Sequence, residues 1–314
     1  MKLRTGLPVM RRADDEVQVG TDPRWAVRLT GLTPGEVHKL LARNLAAGGP
    51  RLTRLAAELA LAGLAVPDDE PDARTADDPA WGLLRPDDDP TTRRRRRSNA
   101  CIGITGLGPT GVGIAVGLAA AGVGSVLADD DRPVRPADIG ATGYRWSDVG
   151  RPRAEATRRA MRDVFPTAGN TGKTVPDMLV VVEGGAADPA LGERLVALET
   201  THLSVVVREA DTVVGPLVVP GNGPCLRCLD LHRADLDPAW SLLLSQLVGA
   251  EPTEPGPVAG VAAGLAVATV LGVIDGLPPL VGRTWEVGLP DAVPRERTWA
   301  PHRRCGCTGL PDEP

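Results

Sequence analysis

The chain has 314 residues, 42% of them apolar and 24% charged, which suits a folded protein with a sizeable core and excludes a wholly disordered polymer. With 35 Lys and Arg against 40 Asp and Glu, its net charge of -5 argues against general affinity for nucleic acid, which needs clustered positive charge. The opening MKLRTGLPVMRR has no apolar stretch of signal-peptide length, so no secretion signal is expected and a cytoplasmic location is.

Residues 1–66 are expected to form a small module. EVQVG and WAVRL alternate apolar residues as short strands do. In TPGEVHKLLARNLAA, Thr33 suits an N-cap and Pro34 the first helical position, with Val37, Leu40, Leu41 and Leu45 on one face. RLTRLAAELALAGL repeats the pattern through Leu52, Leu55, Leu59 and Leu61, and Gly63 suits a C-cap. Strands followed by short helices describe a winged-helix-like α+β domain. Its helices lack a concentrated basic face, which favours docking of a peptide or protein over DNA.

Residues 67–99 are rich in Asp, Pro and Arg and poor in large apolar side chains. Such a segment buries too little to offset its ordering entropy, so a disordered charged linker is expected, including the run Arg93–Arg97.

From Ala100 onward, apolar strands alternate with helices: CIGITGLG, TGVGIAVGLAAAG, SVLADDD, RAEATRRAMRDVF, DMLVVVEGG, a helix near residues 189–199, and HLSVVV. That alternation predicts an α/β domain over 100–314 with a Rossmann-like, doubly wound, mostly parallel sheet. Gly106, Gly108 and Gly111 form G-x-G-x-x-G between the first strand and first helix. That spacing allows a tight turn, close approach of backbone to a phosphate, and close packing of helix on strand. Asp129 ends the next strand, about 20 residues on, where a carboxylate can bond ribose hydroxyls. The turn alone does not separate ATP from NAD, and nothing in the chain supplies a hydride-transfer site.

Of five cysteines, Cys101 falls within the first strand, while Cys225 with Cys228 (CLRC) and Cys305 with Cys307 (CGC) form two close pairs. Paired thiolates in a cytosolic chain point to zinc, and two knuckles can close one structural Cys₄ site. His232 and His302 lie near enough in sequence to serve as substitute ligands. The run Val258–Ile274 is apolar but short of the roughly 20 residues a membrane span needs and lacks basic or aromatic anchors. A buried helix is expected, and no membrane.

The glycine turn, the acidic strand end and the two cysteine knuckles together resemble the ThiF/MoeB/HesA family of ubiquitin-activating-type enzymes. The matching stretches are GLGPTG, AAAGVGSVLADDD, DVGRPRAEA, CLRC and CGC, within residues 100–314. The resemblance implies ATP and magnesium as ligands and adenylation of the C-terminal carboxylate of a peptide or ubiquitin-like carrier. LPVMRRADDEVQVG, GPLVVPGNGPCLRCLDLHR and WAPHRRCGC are further similar to an actinobacterial subgroup: leader-peptide-binding partners of azoline-forming cyclodehydratases in ribosomal-peptide biosynthesis. The family commonly pairs around a helix like Val258–Ile274, which implies a homodimer.

The chain departs from the family pattern where ATP phosphates are held. The family D-x-D-x-V falls on Asp130, Arg132 and Val134, or on Asp129 and Asp131 with an insertion. Against the family S-N-L-x-R-Q, the chain has Asp138 for Asn and Ala141 for Arg; Arg153 stands for the later Lys and Glu183 for the magnesium-binding Asp. The expected nucleotide ligands are therefore Gly106, Gly108, Gly111, Asp129, Asp131 and Arg153. Adenylation relies on positioned cations, so these losses imply a degenerate enzyme acting as a docking protein. The alternative is an active ATP-dependent adenylyltransferase.

Overall fold

The computed structural model describes residues 1–45, 49–69, 78–84, 90–165 and 172–308. The chain divides into two units, Met1–Arg94 and Arg95–Pro314.

In the smaller unit, β1 (Lys2–Leu3) will pair with a later strand, and β2 (Val9–Ala13), β3 (Glu16–Val19) and β4 (Val27–Leu29) form an antiparallel meander in that order. Then come α1 (Pro34–Leu41), α2 (Pro50–Leu61), β5 (Ala65–Val66), antiparallel to β1, and α3 (Asp78–Leu84). α1 starts where the sequence implies: Thr33 and Glu36 form a reciprocal capping box, Pro34 following as the first helical residue. Alternation along β3 buries Val17 and Val19 against Val37, Leu40, Leu52 and Leu59. Leu41 and Leu61, expected on the same apolar faces, are exposed, because each is the last residue of its helix and has turned past the buried stripe.

The expected linker is not unstructured in its described part. α3 and α4 (Pro90–Asn99) are helices, while residues 70–77 and 85–89 lie outside the described residues. The arginine run persists as helix because Arg is a good helix former and its charges find partners. Arg97 is buried against Asp275, and Arg96 donates to the Asp275 carbonyl at 3.0 Å.

In the larger unit, a seven-stranded sheet has the order β12-β11-β10-β9-β8-β6-β7. Its elements are β6 (Cys101–Thr105), α5 (Pro109–Ala120), β7 (Ser125–Asp129), α6 (Arg153–Val164), β8 (Met178–Gly184), α7 (Pro189–Ala197), β9 (His202–Val207), β10 (Asp211–Val218), α8 (Leu226–Leu236), α9 (Trp240–Leu247), α10 (Gly256–Ile274), β11 (Arg283–Gly288) and β12 (Arg295–Thr298). β7, β6, β8 and β9 are parallel; β10, β11 and β12 continue antiparallel. The parallel half is the Rossmann-like part. The switch to antiparallel pairing begins at the tight β9–β10 connection, three residues long, which leaves no length for a crossover.

Ile102, Ile104, Val180, Val182, Leu203 and Val205 pack with Ile114 and Leu118 of α5 and Ala262, Ala266 and Val270 of α10. Gly113 and Gly117 let α5 lie close on Ala263 and Val267. α10 is long and apolar enough to cross a membrane by length and composition, yet Val258, Ala259, Ala262, Ala263, Ala266, Val270 and Leu271 are buried, the last five of them in this core.

Candidate nucleotide cleft and cysteine cluster

β7 and β8 lie on opposite sides of β6, so the connection leaving β6 and that leaving β8 diverge at their C-terminal ends. In open α/β sheets this switch point is where ligands bind. The glycine turn sits there. Gly106 has φ +76, and a Cβ on it would strike the Val182 carbonyl; a Cβ on Gly111 would strike the Gly106 carbonyl. Both glycines are thus required by the backbone, whatever the site binds. Gly108 is the N-cap of α5 and offers no side chain to its free N–H groups.

Two of the N–H groups at this turn are taken by the chain's own carboxylates. Asp130 Oδ2 accepts from Leu107 N at 2.8 Å, and Glu254 Oε2 accepts from Thr110 N at 2.7 Å. The Glu254 carboxylate lies directly beside Gly108, where any Cβ would meet it. The cations are occupied as well. Arg153 donates to Asp138 at 2.6 Å and to Asp130 at 3.3 Å, with all three side chains buried. Arg132 forms a two-pronged pair with Asp130, 2.9 Å on each arm, and reaches Glu251 at 3.2 Å. Arg135 lies 3.2 Å from Asp138 and 3.3 Å from Glu251. Three guanidiniums therefore face three carboxylates, with Glu254 in addition.

Titration behaviour follows from this arrangement. Burial alone would raise the Asp130 carboxyl, but the Arg132 guanidinium and the Leu107 and Arg132 N–H groups outweigh it and hold the pKa down at about 2. Burial pushes Glu254 up, opposed by its bonds to Thr110, and burial pushes Glu183 up, opposed by the Asp188 N–H. For Asp130 the folded value lies below the unfolded one, so the charged carboxylate stabilises the folded state above about pH 4. As pH falls through that range toward 2, about 2 kcal/mol of this stability is lost. Acid titration of unfolding free energy should show that limb, and Asp130→Asn should flatten it.

The expected ligands are only partly brought together. Gly106, Gly108 and Arg153 line one hollow, with Arg132, Arg135, Glu183, Glu251 and Glu254. Asp129 and Asp131 are both exposed, and Asp130 between them is the buried acid facing the turn. β7 ends at Asp129, and the chain leaving it turns the middle acid of DDD inward, where Leu107 N, Arg132 and Arg153 bond it. The remaining hollow is about 40 Å³, against the several hundred Å³ typical of a small-ligand pocket. As folded, this hollow is too small for ATP, and one oxygen of Glu183 is already engaged, accepting from Asp188 N at 2.9 Å. Sequence reasoning missed Glu251 and Glu254. Their only signal is EPTEPGP, two acids spaced by prolines just before α10.

The four paired cysteines do meet. All four Sγ atoms lie within 4.8 Å of one another, with Cys225 3.5 Å from Cys305 and Cys228 3.4 Å from Cys307. Tetrahedral zinc with Zn–S bonds near 2.3 Å separates its sulfurs by about 3.8 Å, so this donor set fits a four-thiolate metal site. Such a site has no open position and is structural. His232 and His302 are not among the donors: His232 Nε2 bonds the Ala300 carbonyl, and His302 Nε2 bonds Asp235.

No protein-family model and no curated protein sequence matches the chain. Solved structures do. The E. coli enzyme MccB with ATP is 16% identical, with 98% of this chain and 99% of that chain covered and a TM-score of 0.68. The microcin C7 biosynthetic enzyme MccB in complex with N-formylated MccA is 17% identical, with 98% and 99% covered and a TM-score of 0.69. PaaA is 17% identical, with 94% and 98% covered and a TM-score of 0.66. At this identity the likeness is one of fold, along essentially the whole chain.

Proposed function

We propose that this chain is a ThiF-like protein that docks a leader peptide or ubiquitin-like carrier for a partner modifying enzyme, with its adenylation chemistry degenerate. The observation that carries this reading is the neutralised cleft. Adenylyl transfer from ATP to a carboxylate, with pyrophosphate leaving, needs cations free to meet charge developing in the transition state. Here Arg132, Arg135 and Arg153 are already matched by Asp130, Asp138 and Glu251. MccB, which shares the fold, is known with ATP and with MccA. That likeness supports a peptide as the partner class and an ATP site as the ancestry of the turn. A cyclodehydratase as the modifying enzyme, kinship with the actinobacterial subgroup, structural zinc at the four cysteines and a cytoplasmic homodimer complete the reading. A second reading, an active adenylyltransferase, is favoured by the intact turn and by Arg153 lining it.

The docking element in this reading is the sheet of the smaller unit. Among the described residues β2 and β4 are its edges, each with a side that pairs with no strand and can accept an extended one. The test uses the full chain and synthetic peptides copied from short reading frames beside its gene. Gly108→Val, in the cleft, should leave peptide affinity unchanged, and Val27→Pro, in edge strand β4, should lower it at least about tenfold. Affinity lost with Gly108→Val and retained with Val27→Pro contradicts docking on the sheet.

A further inference from the structure

We propose that Glu251 and Glu254 form an internal plug: the connection between α9 and α10 fills, with its own carboxylates, the ground a phosphate would take at the glycine turn. The inference rests on reading that turn as a nucleotide cleft.

Glu254 reproduces what a phosphate oxygen does at a helix N-terminus. Its Oε2 accepts from Thr110 N at 2.7 Å, at the end of a 12-residue helix whose N-cap is glycine. Glu251 supplies the other half. From a side chain half in water it reaches Arg132 at 3.2 Å and Arg135 at 3.3 Å, both bordering the same hollow. A helix N-terminus and a group of guanidiniums are the two kinds of donor that hold an oligophosphate. One short segment satisfies both.

That segment is anchored so as to deliver the carboxylates. Val248 makes bridges to Gly185 and Ala186 just past β8, and Ala250 and Leu247 lie so close to Gly184 and Gly185 that no Cβ fits there. Pro252 and Pro255 flank Glu254 and restrict its backbone. The plug therefore enters at the sheet end, crosses the turn and continues directly into α10. Nucleotide entry is then conditional on moving residues 250–254.

Removing the plug's charge leaves Arg132, Arg135 and Arg153 against Asp130 and Asp138, with only a neutral amide, a weaker acceptor than a carboxylate, beside Thr110 N at the α5 terminus. An oligophosphate should then bind. The test is calorimetric titration of the full chain with inorganic tripolyphosphate and with ATP, comparing wild type, Glu251→Gln and Glu251→Gln/Glu254→Gln. Both substitutions keep side-chain length. The single variant should bind about twofold to fivefold more tightly than wild type, the size of one partly exposed ion pair. The double variant should gain about tenfold or more, and Arg135→Gln added to it should remove most of the gain. A double variant that binds neither probe more tightly, or a gain that survives Arg135→Gln, overturns the plug. Should the double variant fail to fold, unchanged affinity in Glu251→Gln, whose side chain is exposed, overturns it alone. These readouts concern binding only. A plug that fails leaves peptide docking standing, and an opened cleft that binds ATP without adenylating leaves it standing too.

Discussion

Replacing Cys225 and Cys228 together by Ser should remove about one zinc per chain and destabilise the larger unit by about 5 kcal/mol or more, a cautious fraction of what structural zinc supplies in small domains. The magnitude follows from what the four sulfurs join. Cys225 caps α8 and Cys228 lies in its first turn, while Cys305 and Cys307 come from the last described stretch of the chain. Beyond the cysteines, Trp299 bonds the Gly282 carbonyl through N and Thr284 through Nε1, while His302 N bonds Cys228 Sγ, His302 Nε2 and Arg304 bond Asp235, and the Ala300 carbonyl meets His232 Nε2. All but the two Trp299 bonds depend on the position of α8. Without metal, four thiols, two of them buried, would also crowd one another at 3.4–4.0 Å. Metal analysis by mass spectrometry and melting curves with and without a chelator check this. A fully folded wild-type protein that contains no metal, with a melting temperature indifferent to chelator, contradicts the assignment.

The second large effect is expected at Arg97. Its guanidinium meets Asp275 through Nε at 3.0 Å and Nη2 at 2.6 Å, with both side chains buried, and its Nη1 donates to the Ala121 carbonyl at 3.2 Å. Asp275 is the C-cap of α10 and Ala121 the C-cap of α5, so α4 closes two helix C-termini at once. A carboxylate at a helix C-terminus opposes the macrodipole and survives there only with a cation beside it. Arg97→Met should therefore cost about 3–5 kcal/mol, because it leaves Asp275 buried and uncompensated. Arg97→Met combined with Asp275→Leu should recover most of that loss. Urea unfolding of the three variants measures both. A single variant within about 1 kcal/mol of wild type would mean that the charge run is an ordinary solvated surface after all.

These two sites show where the sequence was legible and where it was not. The glycine turn could be read because its chemistry is local: each glycine answers a backbone constraint within a few residues of itself. The cysteine pairs could be read because a metal site demands a donor set, and two close pairs of thiols supply one without the histidines beside them. The arginine run was misjudged for the opposite reason. Composition describes average solvation, whereas Arg97 is fixed by one carboxylate 178 positions away. The acidic run DDD failed in a similar way. The turn beyond the end of β7 and its bonding partners decide which carboxylate turns inward, and Asp130 rather than Asp129 or Asp131 faces Leu107, Arg132 and Arg153. Glu254 lay furthest from reach, since nothing near it in sequence marks it as the neighbour of Gly108. Sheet polarity was legible only as far as the strand–helix rhythm lasts: β9 passes to β10 with no helix between, and although α8, α9 and α10 follow, β11 returns antiparallel to β10.

The account turns on a cleft that keeps the architecture of a nucleotide site while its cations are spent on internal carboxylates. The most direct measurement is ATP–pyrophosphate exchange with the purified full chain and magnesium, run with each candidate acceptor peptide in turn. The account predicts no exchange above the no-enzyme background for any acceptor. Exchange that depends on acceptor and is lost with Arg153→Gln would contradict it and make the chain an active adenylyltransferase.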